Sequence, residues 1–269
     1  MRGGFMVELS AKNAGTVKLG DATVNRLGLG TNRISNNNDS RRVLKYAIEL
    51  GVNFIDTADK YGQSEEIIGQ TLTPYPSGVV VATKGGWSES NSSAHLQECI
   101  DKSLRLLKLK QIELWQLHRV DPSVPIEDTM RFLKSQMRAG KIKNIGLSEV
   151  SVEQIEKARK VVPIVSVQNR YNLSDRQHED VLDYCTKENI AFLPFFPLAS
   201  GGVAQNTRLN EIAGNYHATE VQIAIAWLLK RSPMMLPIPG TLSIEHLESN
   251  VAAANISLST EDYEFLNSR

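Results

Sequence analysis

The sequence has little cysteine and no surplus of charge of either sign, and it lacks long apolar runs and familiar cofactor motifs. Its two cysteines, Cys99 and Cys185, have no CxxC spacing. They read as buried helix residues in a reducing compartment rather than as a disulfide or a metal site. Lys plus Arg is 30 and Asp plus Glu is 30, a net charge of zero. That leaves no basic surplus with which to hold a nucleic-acid backbone. No apolar run approaches the ~20 residues of a membrane-spanning helix, and the opening MRGGFMVELS lacks the apolar core of a signal peptide. The expectation is a cytoplasmic protein with neither a membrane nor a nucleic-acid partner. There is no HExxH or comparable ligand spacing, so no metal site is expected. No Pro/Ser-rich linker or charge run divides the chain, which reads as one domain over residues 1–269.

What is present is a core-forming composition and a repeated pattern. Hydrophobic residues make up 41% and charged residues 22% of 269 positions, which excludes wholesale disorder. The length suits one α/β barrel, a fold of ~250 residues. Short apolar runs recur at 27–30, 53–57, 79–83, 112–117, 144–147, 165–168, 191–195 and 235–238. VVVAT and AFLPF are continuous rather than alternating, as in strands buried on both faces. Between them lie helical patterns at 40–50, 93–107, 126–139, from Ser151 onward, 207–216, 219–230 and 244–253. Gly51 and Gly140 stand as helix stops, and Ser151 with Gln154 as a capping box. Eight strands alternating with helices predict parallel pairing and a (β/α)8 TIM barrel. A doubly wound open sheet would carry GxGxxG at its first strand–helix turn, which here reads LGLGTNRIS. Ahead of the first strand, TVKLGDATV predicts an N-terminal β-hairpin around Gly20-Asp21 that closes the barrel bottom.

In such barrels chemistry sits at the C-terminal ends of the strands. The second predicted strand leads into FIDTADKYG, with Asp56 and Tyr61; the third ends on Lys84; the fourth runs into His118. Each has a plain structural reading alone. Together they place a carboxylate, a phenol, an ammonium and an imidazole on one rim. A charge at the end of an apolar strand is costly unless paired, and pairing Asp56 with Lys84 removes that cost. A cation beside Tyr61 is then expected to lower the phenol's pKa and make it a general acid for a carbonyl. A neutral His118 can donate a hydrogen bond to the carbonyl oxygen. None of the four is a hydride source, so a reduced cofactor is required.

FIDTADKYG, VVVATKGG, LWQLHRVD, KNIGLSEV, VQNRYN, LPFFPLASGG and PIPGTLSIEHLESN, in this order, resemble the aldo-keto reductase superfamily over nearly the whole chain. The nearest type is the compact bacterial one that includes pyridoxal-reductase-like members. The resemblance implies that Asp56, Tyr61, Lys84 and His118 form a catalytic tetrad and that NADPH binds across the barrel mouth, with NADH possible. It implies Thr31 among the cofactor residues, Ser148 and Gln168 on the carboxamide, and Phe196 stacked on the nicotinamide. It also places Pro197, Leu198 and Gly201 along the pyrophosphate, and Pro239, Gly240, Thr241, His246 and Asn250 around the adenosine end. PGTLS leading into a helix start suits a phosphate independently of the resemblance. Three positions depart from the common pattern: Glu149 stands where Asn follows the serine, Gly240 where a lysine is common, and His246 where an arginine is common.

Substrate specificity is expected from loops at 85–91, 119–125 and 201–206. Trp87 reads either as a substrate contact or as loop packing. Arg119 reads either as a holder of an anionic substrate or as half of a surface ion pair. The functional expectation is reduction of a small-molecule aldehyde or ketone, with no assignment of oligomeric state. An NADPH-binding regulatory or redox-sensing subunit is the alternative. A glycosidase would need a second carboxylate beside Asp56, for which Glu149 is the obvious candidate.

Overall fold

The computed structural model describes residues 8–87, 91–197 and 207–268. It opens with a 3-10 turn, Ala11–Ala14, and the hairpin β1 (Thr16–Leu19) and β2 (Ala22–Asn25). The hairpin is antiparallel, with Leu19 opposite Ala22 across a turn at Gly20-Asp21. A seven-stranded parallel sheet follows in sequential order: β3 (Leu29–Gly30), β4 (Phe54–Asp56), β5 (Val80–Gly85), β6 (Ile112–Leu117), β7 (Ile142–Ser148), β8 (Ile164–Gln168) and β9 (Ala191–Phe192). The helices are α1 (Asn38–Glu49), α2 (Ser64–Leu72), α3 (Ser93–Leu107), α4 (Ile126–Arg138), α5 (Val152–Arg159), α6 (Glu179–Lys187), α7 (Thr207–Asn215), α8 (Glu220–Arg231), α9 (Ile244–Ala252) and α10 (Thr260–Asn267).

The run expected as the eighth strand closes the barrel without forming a full ladder. Leu236 N–H donates to Phe192 O (2.8 Å), and Phe192 N–H to Met234 O (2.8 Å). On the other edge Gly28 N–H donates to Pro237 O (2.9 Å) and Gly30 N–H to Pro239 O (3.4 Å). Pro237 and Pro239 accept but have no N–H to return, so pairing with β3 is one-sided. The architecture is the expected (β/α)8 barrel.

Side-chain alternation assigns the two faces. Phe54, Val80, Ala82, Leu114, Leu193 and Leu236 pack inside the barrel together with Val17, Leu19 and Val24 of the hairpin, which therefore closes the bottom as expected. The intervening residues Ile55, Val81, Trp115 and Leu117 pack outward against the helices. Two residues beyond Phe54, Ala82 and Gln116 on this inward phase stand Asp56, Lys84 and His118. Strand alternation thus delivers them to the upper end.

Ser151 and Gln154 form the expected capping box, and Thr219 with Gln222 forms another at α8. The sequence pattern did not predict α2, α6 or α10. Gly69 lies within α2, where its missing side chain lets the helix approach Leu106: a Cβ there would lie 2.1 Å from that carbonyl oxygen. α6 starts after His178 without a side-chain cap, so the usual start signal is absent.

Candidate active site

Lys84 is fully buried, and three oxygens surround its ammonium. Nζ lies 2.8 Å from Asp56 Oδ1, 2.7 Å from Oδ2 and 2.9 Å from Thr57 O. An ammonium has three donors, and here the protein occupies all three. Asp56 Oδ1 also accepts from Gln168 Nε2 (2.8 Å) and Gln116 Nε2 (3.3 Å). Burial pushes Lys84 below its ordinary pKa while Asp56 opposes the shift. The two carboxamides that hold Asp56 were not expected in that role; their inward phase on β6 and β8 is the signal that marks them.

Tyr61 sits in the turn after β4, with its N–H on Ala58 O (3.0 Å), and Gly62 follows at φ 56°. Lys84 Nζ lies 5.2 Å from the centre of its ring, and the His118 ring meets it edge-on at 6.1 Å. The expected acidification of the phenol does not occur. Burial and the Asp56 charge raise the Tyr61 pKa above 10, and only Arg119 pulls it down. Burial of the phenol is the main reason, and the pairing adds to it: Asp56 neutralises Lys84 and takes the donors that would otherwise reach the phenol.

His118 is buried, and its pKa falls from 6.5 to about 2 through burial and the Lys84, Arg119 and Lys60 charges. It is a neutral imidazole. Nδ1 is buried without a partner. An unpaired lone pair there is cheaper than an unpaired N–H, which puts the proton on Nε2. The Trp87 ring lies against this imidazole at 4.5 Å.

Asp56, Tyr61 and His118 open onto one cavity of about 850 Å³ at the C-terminal end of the barrel, with Lys84 directly beneath. Thr31, Ser148, Gln168, Phe196, Pro197, Pro239, Gly240, Thr241, His246 and Asn250 line the same cavity, as do Trp87 and Arg119. Leu198 and Gly201 lie outside the described residues, as does the loop at 201–206. Asn32, Arg33, Phe195, Val221 and Leu242 also line it and were not anticipated. A second cavity of about 720 Å³ opens on the opposite face, between the hairpin and the loops after α5 and α6, and contains none of these residues.

Several features suit an extended ligand with aromatic ends. Trp87, Phe196 and Leu242 are exposed large apolar side chains, and all three ring the cavity. Phe196 holds φ 50°, a costly backbone for a bulky residue, and its ring packs on Phe195 at 5.3 Å. Gly30 and Gly240 face each other. A Cβ on Gly240 would lie 2.8 Å from Gly30 O, and one on Gly30 would lie 2.6 Å from Ile238 O. α9 begins beside this contact, capped by Ser243, whose Oγ accepts from His246 N–H (3.3 Å).

Glu149 does not reach the cavity. It occupies the left-handed region at φ 54°, and its Oε1 accepts from Arg170 N–H (2.8 Å). Among the described residues Asp56 is therefore the only carboxylate lining the cavity, and the glycosidase pair does not form. The described residues contain no group of three metal-ligating side chains and no helix long and apolar enough to cross a membrane.

The model of the aldo/keto reductase family matches residues 26–268. The chain belongs to the aldo/keto reductase family. Among aldo/keto reductase relatives, an uncharacterized oxidoreductase of Schizosaccharomyces pombe is 44% identical, over 94% of this chain and 89% of its own. Pyridoxine 4-dehydrogenase of Escherichia coli is 36% identical, over 93% of this chain and 96% of its own. A crystal structure of an aldo/keto reductase from Klebsiella pneumoniae in complex with NADP and acetate superposes with a TM-score of 0.85 at 28% identity, covering 94% of each chain.

Proposed function

We propose that the chain reduces an aldehyde or ketone to the alcohol with NADPH, Tyr61 providing the proton. The observation that carries this reading is the Tyr61 phenol and the His118 imidazole side by side on one cavity wall, above a closed Asp56–Lys84 pair. NADPH, when bound, supplies the hydride to the carbonyl carbon. The chain's part is to hold both partners and to manage one proton.

Nε2 of His118 donates to the carbonyl oxygen and orients it. Tyr61 O–H transfers its proton to the same oxygen as negative charge builds there. A raised phenol pKa does not prevent this, since a developing alkoxide is a stronger base than phenolate; it keeps the acid loaded at every working pH. Asp56 and Lys84 hold the strand ends at fixed separation, and the polar layer of Gln116 and Gln168 keeps Asp56 in place. Gln168 directs its N–H group at Asp56, which leaves Oε1 free to accept; with Ser148 it would hold the carboxamide of a bound nicotinamide. Phe196 would cover the nicotinamide ring, and Thr241, His246 and Asn250, near the first turn of α9, would hold the adenosine end.

Tyr61→Phe tests the reading directly. Carbonyl reduction is expected to fall by about 10²–10⁴, while NADPH titrated against tryptophan fluorescence binds with nearly unchanged affinity. Full turnover by this variant would remove Tyr61 from the reaction. The relative named pyridoxine 4-dehydrogenase makes pyridoxal a natural member of the substrate panel.

A further inference from the structure

Two guanidinium groups, those of Arg33 and Arg119, line the cavity, whose only lining carboxylate among the described residues, Asp56, is occupied by Lys84. Arg119 is half-buried, and its position is fixed from two directions. Cζ lies 4.4 Å from the centre of the Trp87 ring, the same ring that packs against His118. Nη1 donates to His118 O (2.6 Å) and Ser148 Oγ (3.2 Å).

No carboxylate among the described residues lies within 4 Å of this guanidinium, and its Nε and Nη2 donate no hydrogen bond to them. Glu149, the acidic side chain that would serve, is directed at Arg170 N–H instead. Burial pulls Arg119 below its ordinary pKa, and the more distant Glu149 charge only opposes the shift. The reading of Arg119 as half of a surface ion pair therefore gives way to a held cation with an open donor edge beside the reacting centre. A planar guanidinium with two free in-line donors matches the paired oxygens of a carboxylate or phosphate.

We infer that the carbonyl substrate carries an anionic oxygen group, carboxylate or phosphate, which docks on Arg119 a few bonds from the carbonyl. This rests on the proposed carbonyl reduction. No bond is made or broken at Arg119; its work is binding and orientation. The indole of Trp87 excludes water from one guanidinium face and so strengthens the contact.

The test is NADPH-driven reduction of two matched pairs: 4-carboxybenzaldehyde against methyl 4-formylbenzoate, and glyceraldehyde 3-phosphate against glyceraldehyde. The expected result is kcat/KM about tenfold to hundredfold higher for the anionic member of at least one pair, the range of a charge-assisted contact. The pair that responds identifies carboxylate or phosphate. Arg119→Met is expected to bring that ratio close to one, chiefly through KM, and Arg119→Lys to retain part of it. A bracing role for Arg119 would lower both members equally and leave the ratio unchanged. A wild-type ratio near one, or a ratio that survives Arg119→Met, overturns the inference and leaves carbonyl reduction standing. Failure of the wild type to reduce any of the four would overturn both. Should Arg119→Met fail to fold by circular dichroism, collapse of the wild-type ratio at about 0.5 M KCl is the supporting result and its persistence the opposing one.

Discussion

The Lys84 ammonium has no donor left for the phenol beside it, and this sets the pH behaviour of the site. Asp56 and Thr57 hold all three N–H groups; burial and the Asp56 charge keep Tyr61 above its ordinary pKa, and burial with the Lys84, Arg119 and Lys60 charges keeps His118 far below. A general acid loses activity as pH rises through its pKa, and the pKa of Tyr61, the proposed acid, is raised. The rate of carbonyl reduction at saturating substrate and NADPH is therefore expected to be flat from about pH 6 to 9, any decline lying further alkaline. A fall centred near neutrality in a pH–kcat profile would contradict it. His118 makes the opposite end sensitive. The unfolded chain protonates this residue below 6.5, whereas the folded chain resists until about 2. Its contribution is thus complete above 6.5 and is lost as pH falls toward 2, by about 1.4 kcal/mol per unit. Urea unfolding at pH 7 and pH 5 should show His118→Asn losing about 2 kcal/mol less than the wild type on acidification. Asp56, Lys84 and His118 were legible in the sequence because each continues the inward phase of a strand past its apolar core. The donor arrangement was not legible. That Gln116 and Gln168 secure Asp56 depends on which strands are neighbours and in what register, a property of the closed sheet.

At the scale of elements, the contact between β3 and the segment before α9 decides how tightly the cavity's far end is held. Gly30 and Gly240 meet backbone to backbone, and the obstacle to a side chain at 240 is a carbonyl oxygen at 2.8 Å, which cannot rotate away. Gly240→Ala is expected to displace this segment, weakening NADPH binding by about tenfold or more and lowering Tm. Fluorescence titration and calorimetry would measure the two effects, and unchanged values for both would show that the segments can part at little cost. The same region shows why the run expected as the eighth strand forms no full ladder. Met235, Leu236 and Ile238 make the 235–238 run strand-like in composition, yet Pro237 and the following Pro239 leave it unable to complete a ladder, so its pairing survives as isolated hydrogen bonds. α2 was missed for a related reason. A helix whose packing requires Gly69 resembles a turn when only propensity is read, because the approach to Leu106 is a tertiary fact.

The whole molecule separates stability from chemistry along the barrel axis. The hairpin fills the bottom, with Val17, Leu19 and Val24 in one cluster with Phe54, Leu114 and Leu236, while every expected site residue that is described lies at the other end. Leu19 is fully buried, and truncating such a side chain costs about 2–5 kcal/mol, depending on how far the surroundings collapse. Between that position and the cavity floor lies the polar layer of Asp56, Lys84, Gln116 and Gln168, joined to one another by hydrogen bonds. Leu19→Ala should therefore lower the urea midpoint substantially while the NADPH Kd and kcat/KM, measured well below the new midpoint, stay within about twofold of the wild type. A parallel loss of affinity would mean that the lower core transmits its collapse through the polar layer, and that the strand ends are held from below.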